Sequence, residues 1–124
     1  MLLNLTDISS EPLHSQLSRQ IREKALSGEL KAGDDLPSIR NLASDCHVSV
    51  ITVQRAYEDL LREGIIYSRR GKGFFVCDLS SQQKAQIALE RLREQAAPVV
   101  AEALAAGLSE EQILETIRRL SGKD

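Results

Sequence analysis

The segment YSRRGKGFFV, residues 67–76, combines three cations and two glycines between a tyrosine and an apolar run. Its cations are Arg69, Arg70 and Lys72, and its glycines are Gly71 and Gly73. Such cations neutralise the phosphates of a nucleic acid, whereas glycines allow two backbones to approach closely. Because the formal net charge of the whole chain is −2, nucleic-acid binding is indicated by the local placement of charge and not by overall basicity.

A second group of side chains lies upstream, on a helix predicted to begin after Ser49. At 100° per residue, one side of this helix is apolar and the opposite side carries groups that match the edges of DNA bases. These residues are Ile51, Thr52, Gln54 and Arg55. Arg55 suits guanine or phosphate, Gln54 suits adenine, and an outward-facing Ile51 suits a thymine methyl group. The pattern predicts a surface that enters the major groove.

The elements that hold these residues follow from apolar spacing and turn residues. The first predicted helix has Ser10 as its N-cap and ends at Gly28. A turn is predicted over residues 31–38, where glycine and proline interrupt the helical pattern. Ser38 and Ser49 cap two further helices joined by a tight turn. Apolar runs on both sides of Gly-Lys-Gly predict a two-stranded hairpin.

Two more helices are predicted in the C-terminal third of the chain. The first begins with a capping box formed by Ser80 and Gln83. Its apolar residues from Ala85 to Ala106 alternate four and three residues apart, the period of a helix-pairing seam. Pro98 is expected to kink or break it. The last helix begins at Ser109, and it is expected to bury Ile113, Leu114, Ile117 and Leu120.

This order of elements predicts a mainly α fold with a small β-hairpin (α+β). A winged helix-turn-helix DNA-binding domain would occupy residues 1–78, and a C-terminal two-helix dimerisation segment would occupy residues 79–124. Two-fold symmetry would double the contacts on a palindromic DNA site. The expected dimer interface consists of Leu89, Leu92, Ala96, Val99, Ala103, Ile113 and Ile117. Packing of the seam onto the chain's own last helix is the alternative.

Several other classes of protein fit the sequence less well. Gly73 follows Lys72, where a P-loop needs serine or threonine. Cys46 lies on an apolar stripe, and neither it nor Cys77 has metal-ligand spacing, so no metal and no cofactor are expected. No catalytic set stands at a recognisable spacing, and the chain is not expected to be an enzyme. Without a signal peptide or a membrane span, we expect a cytoplasmic protein.

Residues 12–76 closely resemble the winged helix-turn-helix domain of the GntR family of bacterial transcription regulators. The matching motifs are GELKAGDDLPSIRNLA (Gly28–Ala43), TVQRAYEDL (Thr52–Leu60), EGII (Glu63–Ile66) and RRGKGFFV (Arg69–Val76). The short segment after Asp78 is most similar to the YtrA-like subgroup, whose small C-terminal helical part serves dimerisation. Two positions depart from the family pattern, because Val50 replaces a common polar or basic residue and Phe74 replaces a common small hydroxyl residue.

The resemblance implies DNA-contacting roles for particular residues. Arg40 would contact the DNA backbone or a base, and the major groove would be contacted by Ser49, Thr52, Gln54 and Arg55. The Gly71–Gly73 segment would form the tip of the wing.

The resulting hypothesis is a sequence-specific double-stranded DNA-binding transcription regulator, a homodimeric repressor whose basic wing lies at the minor groove. The helix N-termini at Ser38 and Ser49 would point amides toward phosphates. The dimer interface leaves room for a small-molecule effector, although no residue identifies one. The alternative is a winged-helix adaptor that binds proteins and not specific DNA.

Overall fold

The computed structural model describes residues 1–122 and confirms the mainly α fold with a small sheet. Within these residues the elements are α1 (Leu13–Ser27), β1 (Asp35–Leu36), α2 (Ile39–Cys46), α3 (Val50–Arg62), β2 (Ile66–Arg69), β3 (Gly73–Val76), α4 (Ser81–Ala105) and α5 (Glu110–Leu120). The chain forms two compact units, Met1–Lys84 and a second that begins at Ala85. No helix in the described residues is long and apolar enough to cross a bilayer.

The core of the first unit forms where the apolar faces of α1 and α3 meet over the sheet. Its buried apolar residues are Leu17, Ile21, Ala25, Leu36, Leu42, Ala43, Val53, Ala56, Tyr57, Leu60, Ile65, Ile66 and Val76. The predicted apolar side of α3 is among them, as Val53, Ala56, Tyr57 and Leu60. Burial of each large side chain contributes roughly 1.5–3 kcal/mol, which makes this unit the part of the chain with a true core.

The start of α1 differs from the prediction. Ser10 is not the N-cap, because the helix begins at Leu13 behind Pro12, which makes no side-chain cap. The Pro12 carbonyl instead accepts from the amides of Ser15 and Gln16, at 3.0 Å each. The preceding residues form their own local turn, in which the Glu11 amide donates to Ser9 Oγ. The predicted end at Gly28 is confirmed by its left-handed φ of 87°.

The helix-turn-helix caps are as predicted. Ser38 Oγ accepts from the Asn41 amide at 3.1 Å, and Ser49 Oγ accepts from the Thr52 amide at 3.0 Å. Between the two helices His47 adopts a left-handed φ of 56°. The caps and this residue bend the chain sharply enough to place α3 directly after α2.

The hairpin is confirmed, and it gains a third strand that the sequence did not predict. The strand order is β1-β3-β2, all antiparallel, with Asp35 opposite Phe75. The Val76 carbonyl accepts from the Gly33 amide at 2.8 Å, and the Val76 amide donates to the Asp34 carbonyl at 2.9 Å. A two-residue strand is too short to show alternation, so this segment was predicted only as a turn.

The C-terminal helices begin as predicted, because both capping boxes are present. Pro98, however, does not break α4, which continues to Ala105. Proline removes one intrahelical hydrogen bond, and both Pro98 and Glu94, whose carbonyl is released, are exposed to water. Hydration of that carbonyl makes an unbroken helix tolerable.

The expected burial of the α5 apolar face is wrong for the single chain. None of the residues of α4 or α5 is buried. Leu120 is 82 % exposed, and Leu114 and Ile117 are exposed as well. The α4 seam therefore does not bury itself against the chain's own last helix.

Candidate nucleic-acid interface

The N-terminal half of α3 presents the side chains that were expected to face DNA. Ile51 is 68 % exposed, and Gln54 and Arg55 are also exposed. Thr52 is half-buried because it takes part in the cap, with its Oγ1 2.8 Å from Ser49 Oγ. The helix therefore exposes three of these side chains and one pair of hydroxyls.

One neighbouring acid limits this surface. Gln54 Nε2 donates to Glu58 Oε1, one turn along the helix, at 3.3 Å. This exposed contact is long and weak. A base edge could therefore replace Glu58 as the partner of Gln54.

The wing tip is an exposed turn between β2 and β3. The Lys72 amide donates to the Arg69 carbonyl at 2.9 Å and closes the turn. Gly71 and Gly73 have φ angles of 75° and 106°, and no heavy atom of the described residues, apart from the glycine and its two chain neighbours, lies within 4 Å of a Cβ built on either one. Glycine is therefore required here by backbone conformation, not by close packing within the chain.

The cations of the expected interface carry unneutralised charge. Within residues 1–122 none of them forms an ion pair, and all are exposed: Arg40, Arg55, Arg69, Arg70 and Lys72. By contrast, Arg19, Lys24 and Arg62 pair with carboxylates elsewhere in the same unit. Exposed cations without local partners are suited to a polyanion.

Tyr57 joins α3 to the wing. Its ring meets Phe74 of β3 edge-to-face, with centroids 4.9 Å apart, and its hydroxyl donates to the Pro37 carbonyl at 2.7 Å. Burial is the main cause that raises the pKa of this phenol. The negative charge of the nearby Cys46 thiolate, which forms at alkaline pH, raises it further. Phe74, which departs from the family pattern, thus serves as the packing partner that holds the wing against α3.

Three buried polar residues of α1 were missed from the sequence, namely Gln16, Ser18 and Arg22. The amide of Gln16 bonds to the backbone of Thr6 and Glu11, which ties the N-terminal segment to α1. Arg22 pairs with Glu63 at the end of α3. The only signal in the sequence is that Arg22 lies one position from Ile21 on the apolar side of α1.

The cysteines and acids offer no alternative chemistry. Cys46 and Cys77 are free and half-buried, and burial raises the pKa of each thiol, which keeps it protonated. No group of three or more histidine, cysteine or carboxylate side chains in the described part of the chain could hold a metal ion.

Comparisons with known proteins agree with this geometry. Residues 13–76 match the model of "Bacterial regulatory proteins, gntR family". The chain is 32 % identical over 97 % of its length, and 92 % of the relative's, to the HTH-type transcriptional repressor YtrA of Bacillus subtilis. Among solved structures, a GntR family transcriptional regulator from Listeria monocytogenes superposes with a TM-score of 0.68 and 28 % identity, covering 90 % of this chain and 96 % of that one.

A second solved structure links the chain to the YtrA-like subgroup. YtrA from Sulfolobus acidocaldarius, a GntR-family transcription factor, gives a TM-score of 0.58 at 31 % identity and covers 97 % of both chains. These relatives are transcriptional regulators and not enzymes. The chain belongs to the GntR family of transcriptional regulators, with a winged helix-turn-helix DNA-binding domain and a YtrA-like helical C-terminal segment.

Proposed function

We propose that this protein is a homodimeric, sequence-specific transcriptional repressor that binds palindromic double-stranded DNA. The observation that carries the proposal is the pairing of two surfaces: the exposed N-terminal half of α3 and the unneutralised wing are held together by the contact between Tyr57 and Phe74. One places polar groups where bases can be read, and the other supplies charge for phosphates.

In this proposal α3 enters the major groove and reads sequence. Gln54 and Arg55 bind base edges, Ile51 contacts a thymine methyl group, and Thr52 with Ser49 contributes hydroxyls. Arg40 on α2 binds the adjacent backbone. The amides at the start of α2, behind the Ser38 cap, also face phosphate.

The wing supplies affinity that depends little on sequence. Arg69, Arg70 and Lys72 lie at the minor groove, whose negative potential attracts cations. The turn through Gly71 and Gly73 carries no side chain at those two points, so the backbone itself can come close to the DNA.

We further propose that residues 79–124 form the dimerisation segment and that residues 1–78 bind DNA. Apolar side chains along α4 and α5 are exposed in the single chain, among them Leu92 at 63 %. The proposed interface consists of Leu89, Leu92, Ala96, Val99, Ala103, Ile113 and Ile117. Repression is proposed because the Bacillus subtilis relative YtrA is described as a repressor.

The test is to separate affinity from sequence preference. Duplexes bound by the wild-type protein are first selected from random DNA, and binding is then measured against salt. We expect Lys72→Ala to weaken binding to all duplexes alike and to lower the salt slope by about one unit. Thr52→Ala and Gln54→Ala should change which sequence is preferred, at about 1–3 kcal/mol of discrimination for Gln54.

The matched control is Lys31→Ala, which removes an exposed lysine that lies outside the proposed interface. It should leave the selected sequence unchanged and reduce the salt slope less than Lys72→Ala. If the wing and α3 variants behave identically, the groove assignments are wrong. If the wild-type protein selects no duplex at low salt, the proposed function itself is wrong.

A further inference from the structure

Arg22 of α1 and Glu63 form an ion pair in which the arginine side chain is almost completely buried. The Arg22 side chain is 4 % exposed and that of Glu63 is 26 % exposed. Arg22 Nε donates to Glu63 Oε1 at 2.6 Å, and Nη2 donates to Oε2 at 2.8 Å. Two parallel bonds of this kind fix both the distance and the orientation of the carboxylate.

Glu63 occupies the joint between the recognition helix and the wing. It is the C-cap of α3, and its amide donates to the Asp59 carbonyl at 3.0 Å. Two residues later the Ile65 amide donates back to Leu60, and the Ile65 carbonyl accepts from the Cys77 amide, both at 3.0 Å. The strand β2 then begins at Ile66. A fixed Glu63 therefore determines the direction in which the chain leaves α3 for the wing.

Stability alone accounts poorly for this pair. Removal of two charges from water costs several kcal/mol per ion, and apolar residues of similar volume are often equally or more stabilising. Arg22 Nη1 is buried and has no hydrogen-bond partner in the described part of the chain. A buried donor without an acceptor costs about 1–3 kcal/mol. Unlike apolar packing, the two hydrogen bonds of the pair fix the orientation of Glu63.

We propose that the Arg22–Glu63 pair is a positioning device that sets the angle between α3 and the wing, so that both fit one DNA duplex at once. The proposal rests on the proposed DNA-binding function. Both residues act through the elements they hold, and neither contacts the ligand. Loss of the pair should therefore reduce the preference for the specific site more than the general attraction to DNA.

The test replaces the pair with apolar residues, Arg22→Met with Glu63→Leu, which leaves the net charge unchanged. Unfolding in urea, and binding to the selected duplex and to a random duplex, are measured at one salt concentration. We expect the double variant to retain stability close to that of the wild type. The ratio of specific to non-specific affinity should fall by roughly tenfold or more, the equivalent of losing one base contact.

The matched control is the ion pair between Lys24 and Glu29, which closes the end of α1 at 3.0 Å but does not involve α3 or the wing. The variant Lys24→Met with Glu29→Gln also keeps the net charge, and its affinity ratio should equal that of the wild type. A folded Arg22→Met and Glu63→Leu variant with an unchanged ratio would show that the pair only stabilises the fold and would overturn the inference.

A second variant covers the case in which the apolar pair prevents folding. Arg22→Lys keeps the charge but lacks the planar fork that makes two parallel bonds. We expect this protein to fold and to show a lower specificity ratio, with an unchanged salt slope. An undiminished ratio in the lysine variant would overturn the inference. Failure of the wild type to bind any duplex would instead count against the proposed function.

Discussion

At the scale of single residues, His47 is the non-glycine residue with a positive φ in the described part of the chain, at 56°. It closes the turn between α2 and α3, where its amide donates to the Ser44 carbonyl at 3.3 Å. A β-branched side chain is strained in this conformation, whereas glycine is not. We expect His47→Val to be less stable than His47→Gly by about 1–2 kcal/mol in urea unfolding. Equal stability of the two variants would show that the turn tolerates a shift of His47 out of the left-handed region.

Tyr57 gives the protein a pH-dependent stability on the alkaline side. Because the pKa of the buried phenol is raised, the folded chain keeps a proton that the unfolded chain releases above about pH 10. The stabilisation is complete below that pH and is lost as pH rises toward the folded-state pKa. In the wild type the free energy of unfolding should fall there by up to about 1.4 kcal/mol per pH unit.

Two tyrosine variants check this assignment. Tyr57→Phe should be less stable near neutral pH by about 0.5–1.5 kcal/mol, because it loses the bond to the Pro37 carbonyl. At alkaline pH, the free energy of unfolding of this variant should fall less steeply with pH than that of the wild type. Part of the fall should remain, because burial also raises the pKa of the Cys46 and Cys77 thiols. Tyr67→Phe, which removes an exposed phenol, is the matched control for loss of a hydroxyl and should lose less stability near neutral pH than Tyr57→Phe. If the unfolding free energy of Tyr57→Phe falls as steeply with pH as that of the wild type, the proton released on unfolding belongs to another group.

Sequence patterns identify residues whose role depends on near neighbours. The buried face of α3 and the caps at Ser38 and Ser49 were predictable, because each depends on contacts within four residues. Arg22 and Glu63 are 41 residues apart, and no local period can reveal such a pair. Ser10 was misassigned for the opposite reason, because a suitable residue type near a helix start does not guarantee the capping geometry.

At the scale of elements, the segment before α1 is held by side-chain amides and not by a regular element. Gln16 donates to the carbonyls of Thr6 and Glu11 at 2.8 Å each, and it accepts from the Thr6 amide at 3.0 Å. Gln20 makes a similar pair of bonds with Asn4. These side-chain amides form hydrogen bonds with the backbone of residues 4–6, as a neighbouring strand would in a sheet.

Replacement of the buried amide should therefore release this segment without unfolding the unit. In Gln16→Leu the Thr6 amide should lose its protection from hydrogen exchange, and the unit should lose about 1–3 kcal/mol because backbone groups are left unpaired. Gln20→Leu is the control, since it should expose the Asn4 amide and leave Thr6 protected. Retained protection of Thr6 in Gln16→Leu would mean that other contacts hold the segment.

Elements were predictable in proportion to their length. The helices and the four-residue strands show apolar periods or turn residues that a sequence reveals. The strand β1 has only two residues, and it exists because Asp35 and Leu36 pair with β3. Their partners, Phe75 and Phe74, are 40 and 38 residues away in the sequence. The expectation of a break at Pro98 considered only the lost intrahelical hydrogen bond. In a helix exposed to water, that loss did not end α4.

At the scale of the whole molecule, the distribution of apolar surface differs between the two units. The first unit buries a core of apolar residues, whereas no residue of α4 or α5 in the second unit is buried. Large exposed apolar patches indicate interaction sites. Because the seam repeats every three or four residues along α4, a second copy of the same helix can cover it with matching side chains. This is why dimerisation was inferred from the sequence even though one chain cannot reveal its partner.

The dimer is tested by placing a charge on the seam. Leu92→Asp would bury a carboxylate in an apolar contact, so we expect the self-association constant to fall by about a hundredfold or more. Ala101→Asp is the control, because residue 101 is exposed and lies half a turn away from Leu92 on the helix. Sedimentation should show a monomer for the first variant and a dimer for the second.

The two variants should also differ in DNA binding. A monomer can engage only half of a palindromic site, so Leu92→Asp should lose the preference for the full site over a half-site, while Ala101→Asp should retain it. The first unit should unfold normally in both variants, since its core contains no residue of the seam. A dimeric Leu92→Asp protein would exclude the α4 seam as the contact between copies and would leave Ile113 and Ile117 of α5 as the remaining residues of the proposed interface.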